Sequence, residues 1–207
     1  CMNREKMLKQ VLEGAKHEYD FILLDCTPSL GMLTVNALAA AAVGLLLGET
    51  PELIAQGLVS YQASGMRQNI YEQDGYHIYA DCYNASPDAM EATLSVLGGM
   101  AGDGRRFAVL GSMLELGDYA EEGHRRAGRA AAQYADALYA YGPDAAAMVA
   151  GAREKGMEHA YAFDDQTALV AALREDAKKG DALLFKGSRG MRMERALAMF
   201  LGEEVEA

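Results

Sequence analysis

Two short polar segments combine residue types that can bind a nucleotide or an anion. In the first, DCYNASPD (residues 81–88), Asp81 follows an apolar run and Asn84 precedes a Ser-Pro-Asp helix start. Backbone amides at a helix N-terminus attract anions, and ligands of parallel sheets bind beyond the strand ends. The segment therefore suits a nucleotide ribose or phosphate. Alternatively, residues 84–88 only turn the chain and cap the helix, which is the usual role of these residue types.

The second segment, KGSRG (residues 186–190), is basic in an otherwise acidic chain. It follows a strand-like run and precedes a helix-like one, so Lys186, Ser188 and Arg189 could hold a carboxylate or phosphate over a helix N-terminus. It is not a P-loop, because G-x-x-x-x-G-K-[ST] occurs nowhere in the 207 residues. The alternative is a solvated loop with a serine cap.

Other candidate residues carry weaker signals. Glu115 lies in the glycine-bounded segment GSMLELGD, where a single glutamate is more often solvated than functional. His124 is expected to be a surface or capping residue, because no nucleophile or carboxylate is paired with it by a recognisable spacing. The three cysteines, Cys1, Cys26 and Cys82, show no CxxC or Cys/His spacing, so neither a disulfide framework nor a metal site is predicted.

The elements that must position these residues repeat regularly from His77 onward. Short β-rich runs alternate with turns and amphipathic helical stretches, which is typical of βαβ units and predicts an α/β fold with a mostly parallel sheet. The predicted strands are residues 77–81, 107–111, 137–142, 159–163 and 182–187. The loops that would gather at their carboxyl ends are residues 81–88, 111–118, 142–144, 164–166 and 186–190.

Local signals place several helices and a linker. Ser86, Pro87 and Asp88 form a helix start, and Asp165 can cap a helix over residues 166–179. Upstream, the patterns predict a helix over residues 2–16, a strand over 19–25, further helical segments and a linker over 60–69.

Composition limits the classes of function. A hydrophobic fraction of 51% and a charged fraction of 24% are those of a packed globular protein. The formal charge of −11 disfavours nucleic acid and anionic lipid as partners. The longest apolar run, residues 37–47, is shorter than the roughly 20 residues that span a bilayer, so we expect no membrane insertion and a cytoplasmic location. Because the chain begins with a cysteine, we expect the reading frame to start further upstream.

The polar segments together carry a family resemblance. SGMRQ, DCYNASPDAM, AVLGSMLELGD with the following His124, and LLFKGSRGMRMER occur in this order. This arrangement resembles the C-terminal part of the Mur ligases, over residues 40–203. Within that family the likeness is to the ligases that join D-alanyl-D-alanine (D-Ala-D-Ala) to UDP-MurNAc-tripeptide.

The resemblance implies an activity and an architecture. The activity is ATP- and Mg²⁺-dependent amide formation in cytoplasmic peptidoglycan precursor synthesis, with a tripeptide carboxylate phosphorylated and then attacked by the D-Ala-D-Ala amine. Family members have a UDP-substrate domain, a central P-loop ATPase domain and a Rossmann-like C-terminal domain. The chain is similar to the third domain at residues 66–207 and to the last helices of the second at residues 40–65. Without a P-loop, it is expected to be inactive alone.

The resemblance also implies roles for individual residues. Those assigned to the nucleotide are Asn36, Arg67, Asp81, Tyr83 and Asn84, with Arg67 directed at the phosphates, Asp81 at the ribose and Asn36 at the adenine. Those assigned to the acceptor substrate are Lys186, Ser188 and Arg189. The chain does not contain a complete set of the family's catalytic residues.

The amino-terminal part resembles a different family. YDFILLDCTPSLGMLTVNALAAA is similar to the ParA/Soj partitioning ATPases, in which Asp25 would be the acid near the Mg²⁺-nucleotide. Both families carry a similar NALAAA helix, which predicts a junction within residues 36–41 and an appended βα fragment at residues 1–39.

Three functions are compatible with these observations. The first is an incomplete ligase whose folded unit is the C-terminal domain. The second is a non-catalytic module that binds nucleotide or peptide. The third, a fragment of a partitioning ATPase, is disfavoured because the similarity covers about a fifth of the chain and no basic stripe for DNA is present.

Overall fold

The computed structural model describes residues 40–60, 68–100 and 102–203. Residues 40–46 are helical. The longer helices are α1 (Pro51–Ser60), α2 (Pro87–Leu97), α3 (Ala120–Tyr134), α4 (Ala145–Glu154), α5 (Gln166–Asp176) and α6 (Met193–Leu201). The strands are β1 (Asn69–Gln73), β2 (Tyr76–Asp81), β3 (Arg106–Gly111), β4 (Ala137–Tyr141), β5 (Ala160–Phe163) and β6 (Ala182–Lys186).

The strands form one sheet in the order β1-β2-β6-β3-β4-β5. Strands β2, β6, β3, β4 and β5 are parallel, and β1 pairs with β2 antiparallel. Each of the five strands predicted from the sequence is present, with ends that differ by one residue at most. The predicted α/β fold with a mostly parallel, Rossmann-like sheet is therefore confirmed.

Strand β1 was not predicted. Asp74 and Gly75 join it to β2, with φ angles of 53° and 87° that suit a two-residue hairpin turn. The predicted linker over residues 60–69 overlaps the end of α1 and the start of β1, and its central residues 61–67 lie outside the described part of the chain. The helix and strand predicted over residues 2–25 also lie outside it.

Two helix starts form as the sequence predicted. The Ser86 hydroxyl accepts a hydrogen bond from Ala89 N at 3.3 Å, and the Asp165 carboxylate accepts one from Ala168 N at 2.8 Å. Helix α5 ends at Asp176, three residues before the predicted end. It ends there because Ala177 is extended and Lys178 N donates to the Asp181 carboxylate at 2.7 Å, which turns the chain into β6.

The sheet separates two hydrophobic cores. Helices α2, α3 and α4 pack on one face, where Met90, Leu94 and Met148 are buried. Helices α5 and α6 pack on the other, where Leu169 and Leu197 are buried. Alternate residues of the central strands β2, β6, β3 and β4 point to opposite faces, and both sets are buried and apolar, as expected for parallel strands covered on both sides.

Helices α3 and α4 approach each other closely through glycines. A Cβ atom added to Gly128 would lie 1.8 Å from Met148 O, and one added to Gly151 would lie 2.1 Å from Arg125 O. These two positions therefore need glycine for space. Among residues 40–60, 68–100 and 102–203, no helix has the length and apolarity required to cross a lipid bilayer.

Candidate functional site at the carboxyl edge of the sheet

The predicted site segments meet at one edge of the sheet. Because β6 lies between β2 and β3, the loops that follow these three strands are immediate neighbours, and the loop after β4 lies beyond them. Strands β2 and β6 end together, with the Cα atoms of Asp81 and Lys186 paired in register. The DCYNASPD segment (residues 81–88) and the KGSRG segment (residues 186–190) are about a hundred residues apart in sequence. They are nevertheless adjacent in the fold.

Asp81 and Lys186 form a buried ion pair. Their side chains are 6% and 2% exposed, and Lys186 Nζ donates to Asp81 Oδ2 at 2.5 Å. Lys186 Nζ also donates to the carbonyl oxygen of Asn84 at 2.8 Å, and Gln68 N donates to Asp81 Oδ1 at 3.3 Å. The ammonium therefore fixes both the strand-end acid and the loop that follows it.

The loop after β2 presents polar side chains to solvent. Tyr83 is 46% exposed, and Asn84 is exposed while its Oδ1 accepts a hydrogen bond from Ala85 N at 2.8 Å. Between them and the strand, Cys82 is fully buried and its thiol contacts Phe185 O at 3.4 Å. Burial, followed by the negative charges of Glu194 and Asp81, raises the pKa of the Cys82 thiol to about 12.

The residues of the KGSR segment have different surroundings. Lys186 and Ser188 are buried, and the Ser188 hydroxyl accepts a hydrogen bond from Leu114 N at 2.9 Å. Arg189 has a side chain that is 62% exposed and contacts Glu194 Oε1 through Nη1 at 3.0 Å. Of the three predicted acceptor-substrate residues, Arg189 is the one whose charged group is open to solvent.

His124 is a buried structural residue, and the expectation of a surface or capping histidine was wrong. Its side chain is 0% exposed, Nε2 accepts from Met113 N at 2.8 Å, and Nδ1 lies 2.6 Å from Ala120 O. Because a carbonyl oxygen can only accept, these partners assign the proton to Nδ1. The ring therefore joins the start of α3 to the loop after β3.

Ser112 and Gln166, which were not candidate residues in the sequence analysis, connect the loops of this edge through hydrogen bonds. Ser112 Oγ accepts from Asp144 N at 3.0 Å, and Ser188 N donates to Ser112 O at 3.2 Å. Gln166 Nε2 donates to the carbonyls of Met191 and Arg192 at 2.8 and 3.2 Å. Their positions directly after strands or at a helix start are the only signal that could have indicated them.

Two of the predicted nucleotide-binding residues cannot be placed at this edge. Asn36 and Arg67 both lie outside the described residues. Within the residues that the structure describes, no group of three or more His, Cys, Asp or Glu side chains could hold a metal ion.

The residues present fit a nucleoside but not a magnesium site. A carboxylate has about four lone-pair positions, and the described donors to Asp81 use one on each oxygen. Tyr83 and Asn84 add an exposed aromatic ring and amide beside it. The charge of Asp81 is already balanced by Lys186, so this part of the chain offers no set of hard oxygen ligands for Mg²⁺.

Two family profiles match the chain. Residues 66–189 match the Mur ligase, glutamate ligase domain, and residues 1–64 match an AAA domain. The second match agrees with the predicted ATPase-like origin of the amino-terminal part.

Curated relatives give a more specific similarity. The chain is 38% identical over 171 residues to the UDP-N-acetylmuramoyl-tripeptide–D-alanyl-D-alanine ligase of Bacillus subtilis, covering 81% of the chain and 37% of the relative. It is 33% identical over 193 residues to the ligase of the same name from Escherichia coli, covering 87% and 41%. The chain thus spans about two fifths of the length of these relatives.

Solved structures agree with the sequence matches. The MurF ligase of Thermotoga maritima in complex with ADP superimposes with a TM-score of 0.70 at 33% identity, covering 82% of the chain and 38% of the ligase. A crystal structure of MurF from Acinetobacter baumannii gives 0.72 at 32% identity, covering 81% and 37%. The described sheet and its flanking helices therefore have the fold of a domain of these ligases.

Proposed function

Because the chain belongs to the Mur ligase family through its glutamate ligase domain, we propose that it supplies the C-terminal domain of a ligase that joins D-Ala-D-Ala to UDP-MurNAc-tripeptide. The observation that carries the proposal is the pairing of Asp81 with Lys186. This pair joins the loop after β2 to the loop that carries the exposed guanidinium of Arg189, which is an arrangement that would suit a nucleotide and a zwitterionic amino compound bound side by side.

On the nucleotide side, the proposal assigns Asp81, Tyr83 and Asn84, together with Asn36 and Arg67. Asp81 would accept a hydrogen bond from a ribose hydroxyl while Lys186 holds its carboxylate in place. Tyr83 and Asn84 are exposed next to it and would contact the nucleoside. ATP, bound with Mg²⁺, would supply the phosphoryl group that activates the tripeptide carboxylate.

On the acceptor side, the proposal gives different roles to the three KGSR residues. Arg189 would pair with the carboxylate of the amino compound, because a guanidinium matches a carboxylate in geometry and charge. Lys186 and Ser188 are buried and bonded to the protein, so we assign them to positioning the two loops.

The organisation of the chain follows from the same proposal. Residues 66–207 would form the C-terminal domain, residues 40–65 the last helices of a central ATPase domain, and residues 1–39 a ParA-like fragment. A reaction on cytoplasmic UDP-linked precursors would place the protein in the cytoplasm. In 207 residues without a G-x-x-x-x-G-K-[ST] motif, the chain is proposed to be inactive alone.

A chimeric ligase tests this function. Residues 66–207 would replace the matching part of the Bacillus subtilis ligase, and amide product and phosphate would be measured with ATP, Mg²⁺, UDP-MurNAc-tripeptide and D-Ala-D-Ala. We expect product from the chimera and none from the chain alone. A folded chimera without activity would contradict the proposal, and nucleotide binding without activity would favour a non-catalytic module.

A matched pair of substitutions controls for unspecific effects of charge. Asp81→Asn in the chimera should lower activity, whereas Asp103→Asn removes an exposed carboxylate in the loop before β3, at the opposite edge of the sheet. Equal losses from both would argue against a nucleotide role for Asp81. Circular dichroism of each variant would separate loss of function from loss of fold.

A further inference from the structure

The loop after β3 is fixed at two consecutive backbone amides by buried side chains from other elements. Met113 N donates to His124 Nε2 at 2.8 Å, and Leu114 N donates to Ser188 Oγ at 2.9 Å. His124 is 0% exposed and Ser188 is 5% exposed. Two buried polar groups on separate elements therefore determine where the next residue, Glu115, stands.

Glu115 adopts a backbone conformation that few residues other than glycine favour. Its φ angle is 68°, and its side chain is exposed. Among the residues that the structure describes, none forms a hydrogen bond or an ion pair with its carboxylate. Strain at an anchored, exposed residue is characteristic of functional loops, because the surrounding contacts must hold the residue in place.

The neighbouring loop carries a complementary charge. Gly190 passes so close to Leu114 that an added Cβ would lie 2.8 Å from Leu114 Cδ1. Arg189, the residue before Gly190, is 62% exposed, and its ion pair with Glu194 uses Nη1. A carboxylate and a guanidinium are thus presented from two loops that contact each other at the carboxyl edge.

We propose that Glu115 binds the ammonium group of the incoming amino compound while Arg189 binds its carboxylate, so that the two loops select a short zwitterionic peptide. His124 and Ser188 are the positioning residues of this site. The inference rests on the proposed function, which assigns Arg189 to the acceptor, and adds the residue that recognises the other end of the same molecule. It concerns binding and includes no covalent step.

An NMR titration of the full ¹⁵N-labelled chain tests the inference with three probes. D-Ala-D-Ala carries both charges, N-acetyl-D-Ala-D-Ala lacks the ammonium, and the C-terminal amide of D-Ala-D-Ala lacks the carboxylate. We expect the dipeptide to shift the amide resonances of both Glu115 and Gly190 with a Kd of about 1–10 mM. Each singly charged probe should bind about tenfold more weakly.

Two variants sharpen the test. Glu115→Gln should weaken binding of D-Ala-D-Ala about tenfold and leave binding of the N-acetyl probe unchanged, because that probe has no ammonium to lose. Glu175→Gln, which removes an exposed carboxylate near the end of α5, is the matched control and should change neither.

Several outcomes would overturn the inference. These are dipeptide binding that Glu115→Gln does not weaken, equal binding of all three probes, and no shift at Glu115 up to about 50 mM dipeptide. If any of them is observed while the chimeric ligase is active, the proposed function stands and the role of Glu115 is rejected. An inactive chimera with the expected shifts would reject the ligase function alone.

Discussion

Asp81 at the end of β2 and Lys186 at the end of β6 are register partners in neighbouring parallel strands, and their side chains form an ion pair of 2.5 Å inside the protein. The pair connects the loop after β2 with the KGSR loop. Lys186 also holds the carbonyl of Asn84, so the position of the first loop depends on a residue of the second.

Removing one member of this pair should be costly. Lys186→Met leaves the Asp81 carboxylate buried without its counter-ion, which we expect to lower the free energy of unfolding by about 3–5 kcal/mol. The double variant Asp81→Leu/Lys186→Met should recover a large part of this loss, because no charge is left uncompensated. Urea unfolding of both single variants and the double variant measures the coupling. Additive losses would show that the two side chains do not depend on each other.

The contact between α3 and α4 predicts a strong effect of one methyl group. Gly128→Ala places a Cβ against Met148 O, and we expect a loss of about 1–3 kcal/mol from the displaced helix. Gly57→Ala in α1 is the control, because nothing lies within 4 Å of a Cβ at that position. The control should be neutral or stabilising by up to about 1 kcal/mol. Thermal unfolding of the two variants compares them, and a neutral Gly128→Ala would mean that the helices are further apart.

The Cys82 thiol should be unreactive in the folded protein. Burial raises the pKa of this thiol to about 12, so the reactive thiolate is scarce at pH 8. The test uses a variant with Ser in place of Cys1 and Cys26 and follows its reaction with a thiol reagent at pH 8. We expect no labelling of the native variant and rapid labelling in urea. Fast native labelling would show that the loop after β2 opens.

The ion pair between Arg106 and Asp136 predicts a dependence of stability on pH. The Arg106 guanidinium, which donates to both carboxylate oxygens at 2.9 Å, lowers the pKa of Asp136. A carboxyl whose pKa is lower in the folded than in the unfolded chain stabilises the fold above its unfolded pKa. This contribution disappears as the pH falls through the folded pKa.

Asp136→Asn should therefore destabilise the protein at pH 7 and have little effect in strong acid. Both side chains are about one third exposed, so we expect about 1 kcal/mol at neutral pH. Urea unfolding at several pH values between 7 and 2 measures the difference between the two proteins. A difference that does not change with pH would assign the effect to packing rather than to charge.

Much of the fold could be predicted because its signals are local. Alternating apolar runs and turns indicated five parallel strands, and the side chains of Ser86 and Asp165 indicated two helix starts. Strand β1 was missed although Asp74-Gly75 is a hairpin signal, because the polar residues before it favoured a linker. The early end of α5 depends on a hydrogen bond from Lys178 N to Asp181, which helix propensity does not include.

The gathering of the βα loops at one edge of the sheet was predictable, but the contacts between those loops were not. The βα loops were expected at one edge, yet sequence alone does not show that β6 is inserted between β2 and β3. Without that order, the pairing of Asp81 with Lys186 cannot be derived. The burial of His124 follows from the packing of α3 against the loop after β3, a tertiary contact that leaves no mark in the spacing of residues.

The central claim is that one side of this edge binds the nucleotide and the other side binds the acceptor. Measuring KM for ATP and KM for D-Ala-D-Ala in one variant of each side tests it most directly. In the chimeric ligase, Tyr83→Ala and Arg189→Gln alter exposed side chains, so both variants should remain folded. We predict that Tyr83→Ala raises KM for ATP about tenfold with KM for D-Ala-D-Ala unchanged, and that Arg189→Gln does the reverse. If both variants raise the same KM, or neither raises any, the assignment of a nucleotide side and an acceptor side to this edge is contradicted.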